Sequence, residues 1–415
     1  MTTQPSIEIL TARSATLRDG ETLLPVLIRI TAPTPPSASA ARRPRLNLAL
    51  VLDRSGSMSG QKLQNAKRAA TFAVEQLGSE DQVSVVAYDD QVRVYAPSQS
   101  ASNKTALRAA IQSIQTNGST DLHGGWLEGG TQVAAHLDTS ALNRVLLLTD
   151  GLANAGVVDP KLIARDVEGL SKRGVSTSAL GVGSDFNEDL LMAMAQKGDG
   201  NFYFIESAAD LERIFALELK GLTAQVGQKV SLGIETREGC VVEDALNDFE
   251  RNELGRWMLP PLLAGQTIEV ALTLRVAPHV GTRELASLRL AFDVAGEEKR
   301  HVMYAALSLP SVSEAEFEVI KEDERVVAAH AVLRAARERD QINAHLEQGD
   351  YGAALAGVAR VRQQVAAAPM AAPAMAEAME AFDALEADIE RGDGATAAKR
   401  NKSDVYKQRR SSPSR

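Results

Sequence analysis

The chain has 415 residues, with 45 Lys and Arg against 54 Asp and Glu, a net charge of -9, and 44% hydrophobic residues. This composition excludes wholesale disorder, and because single domains cluster near roughly 100 to 200 residues, two or three domains are expected. The acidic balance excludes general nucleic-acid binding, which needs a basic face to displace phosphate counterions.

The opening residues lack the cationic flank and apolar run of a secretory signal. No later stretch stays apolar for the ~20 residues that a membrane helix needs. A cytoplasmic protein without a membrane span is therefore expected. Residues 1–42 hold alternating strands, with Val26, Ile28 and Ile30 on one face, and a linker from Ala32 to Arg45 rich in Pro, Ala and Ser. A lone strand pair is not stable by itself, so these strands are predicted to pair with a β-sandwich further along the chain.

Residues 43–222 alternate short apolar runs with amphipathic stretches, the pattern of a Rossmann-like, doubly wound, mostly parallel sheet. Strands are predicted at Leu46–Leu52, Val83–Tyr88, Arg144–Thr149, Val175–Leu180 and Asn201–Ile205, with an edge strand at Val92–Tyr95. Helices are predicted at Lys62–Leu77, Lys104–Ile114, Pro160–Lys172 and Glu188–Gln196. Over 223–311 the period changes to two, as in Ile268, Val270, Leu272, Leu274 and Val276, then Leu288, Leu290 and Phe292, then Val302 and Tyr304. That segment is expected to form the sandwich, with the α/β domain inserted into it. Residues 312–392 read as a helical hairpin plus a third helix, with apolar positions such as Val326, Leu333, Met375, Met379 and Phe382. Residues 393–415, with Lys399, Arg400, Lys402, Lys407, Arg409 and Arg410, read as a basic, flexible tail. The single cysteine, Cys240, makes no internal disulfide and is expected to be a buried small hydrophobe.

Three loops carry the chemistry. Asp53-Arg54-Ser55-Gly56-Ser57 ends the first strand of the α/β domain, Gly118-Ser119-Thr120-Asp121 precedes a helix, and Asp150-Gly151 follows Leu146–Thr149. Ligands bind outside the carboxyl ends of strands in open α/β sheets, so all three loops belong at one end. Carboxylates with hydroxyls offer the oxygen ligands that a hard cation such as Mg²⁺ prefers, and leave the ion incompletely neutralised. The remaining charge favours an anionic ligand from outside, such as Asp or Glu of another protein.

This pattern resembles the von Willebrand factor type A family, whose metal-ion-dependent adhesion site reads Asp-x-Ser-x-Ser, a distant Thr and a later Asp. The resemblance covers about Arg43–Leu222 and places Asp53, Ser55, Ser57, Thr120 and Asp150 in those positions. It implies direct coordination of Mg²⁺ (or Mn²⁺ or Ca²⁺) by the hydroxyls of Ser55, Ser57 and Thr120, with Asp53 and Asp150 acting largely through water. It also implies a non-enzymatic interaction module, with a purely structural type A domain, whose metal only ties the three loops together, as the alternative; family analogy suggests AAA-type ATPases as one class of partner.

A competing reading takes Gly56-Ser57-Met58-Ser59-Gly60 as the Gly-x-Ser-x-Gly nucleophile elbow of α/β-hydrolases, with Ser59 as nucleophile. It needs a His after the acid, and none of the 6 His stands at a matching strand end. His123 lies near Thr120 and reads as a surface or helix-start residue. Asp121 reads as a helix cap or a loop-orienting group. Gly181-Val182-Gly183-Ser184-Asp185 reads as a turn after a strand, since the full glycine spacing of a dinucleotide loop is absent.

Overall fold

The structure is a computed structural model that describes residues 4–34, 44–183, 185–207, 210–366 and 373–409. Most of the predicted linker (35–43), Ser184, the Met375 side chain, the Lys407 side chain and residues 410–415 lie outside the described set. The chain divides into two compact units. One comprises Ala40–Gln225 with Ala295–Glu298, and the other Met1–Ser39, Val226–Val294 and Lys299–Arg415.

The N-terminal segment gives β1 (Ser6–Thr11), β2 (Thr16–Leu17) and β3 (Thr22–Thr31). The α/β unit follows with β4 (Arg45–Asp53), a 3-10 turn at Gly56–Met58, α1 (Gln61–Gln76), β5 (Gln82–Tyr88) and β6 (Val92–Ser100). Next come α2 (Lys104–Gln112), α3 (Leu122–Ala134), β7 (Ala141–Thr149), α4 (Pro160–Lys172) and β8 (Ser176–Val182). The unit closes with α5 (Glu188–Lys197), β9 (Phe202–Ile205) and α6 (Leu211–Thr223).

The sheet of this unit runs β6-β5-β4-β7-β8-β9 and is parallel throughout except for antiparallel β6. Every residue of β7, and of β4 after Arg45, is buried, as central strands covered by helices on both faces require. From β4 the chain winds outward to β5 and β6, then returns to the other side of β4 as β7. The topological switch point therefore lies between β4 and β7, the place where a doubly wound sheet opens a crevice for ligands. Helix α3 is held close to this point by glycines where its backbone meets β4 and β5. A Cβ on Gly125 would come within 2.3 Å of Tyr88, and one on Gly129 within 2.3 Å of Val51.

The second unit adds β10 (Gln225–Thr236), β11 (Cys240–Ala245), β12 (Trp257–Met258), β13 (Leu262–Leu263), β14 (Thr267–Val276), β15 (Thr282–Asp293) and β16 (His301–Val312). One sheet is β1-β3-β14-β11 and the other β12-β10-β15-β16-β2, with β13 beside β10. β3 pairs with β14 over the full register Thr22↔Val276 to Thr31↔Thr267. Between the sheets, Val26, Ile28 and Ile30 share a core with Val270, Leu272, Leu290, Phe292 and Leu307. Cys240 is buried in that core. Val302 and Tyr304, expected to continue the inward alternation, face outward, with Tyr304 72% exposed. The inward set on β16 is Met303, Ala305, Leu307 and Leu309. With a side-chain period of two, a one-residue misreading exchanges the faces of the whole strand.

The C-terminal part forms α7 (Glu314–Glu318), α8 (Glu324–Glu347), α9 (Tyr351–Ala366), α10 (Pro373–Glu390) and α11 (Gly394–Arg409). Val326 and Leu333 of α8 pack with Leu27, Leu246 and Ala271 of the sandwich. Over 394–409 the expected basic, flexible tail is instead α11, a helix built into this bundle. Asn401 is fully buried, donates to Arg339 O at 3.0 Å and to Asn343 Oδ1 at 2.7 Å, and accepts from Arg339 Nε. Lys402 pairs with Glu347 at 2.9 Å and Arg400 with Asp388 at 2.7 Å. Arg400, Lys402 and Arg409, three of the cations that made the segment look solvated, meet carboxylates of neighbouring helices.

Candidate metal centre

Strand register sets the site. Leu52 of β4 pairs with Leu148 of β7, so Asp53 and Thr149 end their strands side by side. Thr149 Oγ1 donates to Asp53 Oδ2 at 2.6 Å, and the Ser55 amide donates to Asp53 Oδ1 at 2.8 Å. One step further along β7, Asp150 Oδ1 accepts the hydroxyl proton of Ser57 at 2.7 Å, and the Ser55 and Ser57 hydroxyl oxygens lie 3.1 Å apart. Asp53, Ser55, Ser57 and Asp150 thus form one hydrogen-bonded set spanning both strand ends.

Thr120 arrives from the α3 side. Its amide donates to Asn154 Oδ1 at 2.7 Å, and its carbonyl accepts from the amides of Asn154 and Ala155 at 3.1 and 3.2 Å. A Cβ on Gly151 would lie 3.5 Å from Ser57 Oγ and 3.6 Å from Thr120 Oγ1, so both hydroxyls flank the same short stretch of backbone. The loops are tied further by backbone: Gly56 N donates to Gly118 O at 3.1 Å, Asn117 N to Arg54 O at 2.9 Å, and Asp121 N to Asp89 O at 2.7 Å. A buried ion pair, Arg54 with Asp89 at 2.8 Å, braces the same region. Gly118 takes φ +59° in this turn, a conformation in which side chains are strained.

The donors suit a hard divalent ion. Neighbouring oxygen ligands around Mg²⁺, each about 2.1 Å from the ion, sit about 3 Å apart, which matches the Ser55 and Ser57 hydroxyls. Ser57 directs its proton at Asp150, which leaves oxygen lone pairs available for another partner. Burial pushes the Asp53 carboxyl up; the hydrogen bonds from Ser55 and Thr149 offset part of this, and the neighbouring Asp150 adds repulsion. A nearby cation relieves that penalty. Among the described residues no group of three or more His, Cys, Asp and Glu is placed to hold a metal; the donors here are hydroxyls with two carboxylates.

Several residues gain roles that sequence reasoning did not assign. Thr149 positions Asp53, and the Arg54–Asp89 pair anchors the loop. Lys62 places its ammonium 2.5 Å from Asp150 Oδ2. A signal for Lys62 existed: it is the second residue of α1, where the helix dipole disfavours a cation unless an anion compensates. Asp121, whose position in the sequence allowed a helix cap or a loop-orienting role, caps α3 by accepting from the Gly124 amide at 2.9 Å. His123 is at the start of α3 but buried, with Nε2 3.1 Å from Asp166 Oδ2 and its ring tilted against Trp126. The nucleophile-elbow reading fails on its own pentapeptide, since the central position is Met58, which is fully buried, while Ser59 lies exposed beyond the turn.

Comparison with known proteins bears on the family and the fold. The profile of the von Willebrand factor type A domain matches residues 47–217. The uncharacterized protein YfbK of Escherichia coli (strain K12) is 32% identical over 213 residues, which cover 51% of this chain and 37% of that protein. The chain spans less than half the length of the curated relatives it matches. Two solved structures share the fold at 17% identity. A von Willebrand factor type A protein from Catenulispora acidiphila has a TM-score of 0.72, covering 98% of this chain and 96% of that one. The ArnB paralog VWA2 from Sulfolobus acidocaldarius has a TM-score of 0.66 and 99% coverage of both. Residues 47–217 of this chain are a von Willebrand factor type A domain, a member of a family of protein-interaction modules.

Proposed function

We propose that this domain is a non-enzymatic, metal-dependent interaction module in a cytoplasmic bacterial scaffold or adaptor. Ser55, Ser57 and Thr120 would hold Mg²⁺ (or Mn²⁺ or Ca²⁺) through their hydroxyls, with Asp53 and Asp150 acting through water. The ion, when bound, supplies a positive charge that an Asp or Glu side chain of a partner protein completes. The observation that carries this reading is the hydrogen-bonded set joining Asp53, Ser55, Ser57 and Asp150 across the switch point, with Thr120 alongside. Among the described residues no helix is long and apolar enough to cross a membrane.

A pull-down from native lysate tests the reading, with tagged full-length chain in magnesium, in EDTA, and as Asp53→Ala in magnesium. The expected result is a band in the first lane alone, and mass spectrometry of that band would show whether the partner is an AAA-type ATPase. Equal bands in all three lanes would mean that partner binding does not pass through the metal centre.

A further inference from the structure

Lys62 stands where a helix N-terminus disfavours positive charge, yet its ammonium reaches the one Asp150 oxygen that Ser57 does not occupy. The carboxylate is fully buried, while the lysine side chain keeps 35% of its surface exposed. The anion is therefore fixed and the cation has a path to solvent. Other charges nearby are already committed: Arg54 is bound to Asp89, and Asp121 accepts the Gly124 amide. Asp53 is held by an amide and a hydroxyl. Among the described residues, Lys62 is the cation that reaches either carboxylate of the centre.

We infer that Lys62 is a tethered competitor for the divalent ion: its ammonium neutralises Asp150 in the metal-free protein and weakens ion binding. Like-charge repulsion between the ammonium and an incoming ion is the physical basis. Two consequences follow from one contact. The metal-free site is protected against the mutual repulsion of Asp53 and Asp150, and ion occupancy becomes sensitive to concentration instead of permanent. The inference rests on the metal-centre reading above, so its test is arranged to let the two fail separately.

Mn²⁺ alone serves as the probe, titrated calorimetrically into the full-length wild type, Lys62→Gln, Lys62→Arg and Asp53→Ala, with thermal melts of each in EDTA. Lys62→Gln is expected to bind Mn²⁺ about tenfold more tightly, the effect of removing one unit charge ~6 Å from a divalent ion even at the dielectric of water. Lys62→Arg, which keeps the charge, is expected to bind like wild type. In EDTA, Lys62→Gln is expected to melt below wild type because Asp150 has lost its counter-charge. If the glutamine variant does not fold, Lys62→Met replaces it at similar length. Equal or weaker Mn²⁺ binding by the uncharged variant, with wild type binding and Asp53→Ala not, would overturn the role of Lys62 alone. Failure of wild type itself to bind Mn²⁺ would overturn the metal centre and this inference with it.

Discussion

Glu218 and Asp53 are both buried acids of the same α/β unit, and their surroundings differ in kind. Glu218, on α6, receives Arg144 at 2.8 Å, Ser178 and Tyr203 each at 2.6 Å, and Asn201 at 2.9 Å. Burial pushes its carboxyl up, but Arg144 and the three hydrogen bonds outweigh burial and hold it below 4.5. Asp53 receives one amide and one hydroxyl, with a second carboxylate close by, and stays above 3.8. A buried acid that is fully partnered works as a joint between elements. One that keeps a carboxylate neighbour retains a demand for positive charge, which a divalent ion could meet.

The largest effect expected from this contrast comes from breaking the joint. Glu218→Gln leaves Arg144 buried without its anion and should destabilise the α/β unit by about 3–5 kcal/mol, read by urea unfolding. Magnesium should not restore the loss. Because the Glu218 carboxyl is depressed in the fold, its contribution is complete above about pH 4.5 and is lost as pH falls through the folded value. The wild type should therefore lose stability on acidification in a range where the variant stays flat. Equal stability of the two proteins at neutral pH would erase the contrast.

Removing the charge at the other acid should act through the ion. With magnesium at a hundredfold excess over its dissociation constant, wild type should gain about 2.7 kcal/mol, and Asp53→Asn should gain none. In EDTA the sign reverses relative to Glu218. A raised carboxyl contributes most below its unfolded value of 3.8, and that contribution is lost as pH rises through the folded value. Asp53→Asn should therefore match or exceed wild-type stability at neutral pH without metal, and a large loss there would make Asp53 a second structural joint.

The smallest expected effect sharpens the boundary of the site. Asp121→Ala removes the cap of α3 and should cost about 1 kcal/mol while leaving the magnesium-induced gain intact. Disappearance of that gain would move Asp121 from the helix cap into the metal-holding set.

The strands and loops of the centre were legible because their signals are local. Leu46–Leu52 and Arg144–Thr149 are apolar runs ending in Asp-x-Ser-x-Ser and in Asp150-Gly151, and a run buried on both faces has no other periodicity to confuse it. Phase was harder on β16, where Val302 and Tyr304 resemble inward residues in composition and face outward. Composition also misled at residues 393–409, because a cation looks solvated until the carboxylate it meets is known. Asp388, Glu347 and Asp340 meet Arg400, Lys402 and Arg409 from other helices.

The alternation of strand and helix in the α/β unit and the residue types available at its loop ends can be read from local pattern, since both depend on side chains within a few positions of each other. Which of them meet is set by the packing of distant segments. The register of Leu52 against Leu148 set Asp53 beside Thr149, and the path of α1 carried Lys62 to Asp150, 88 positions away in the chain. Such contacts depend on strand order and helix direction, which no local spacing encodes. For that reason the contact between Lys62 and Asp150, unlike the hydroxyls and carboxylates at the loop ends, became visible only in the fold.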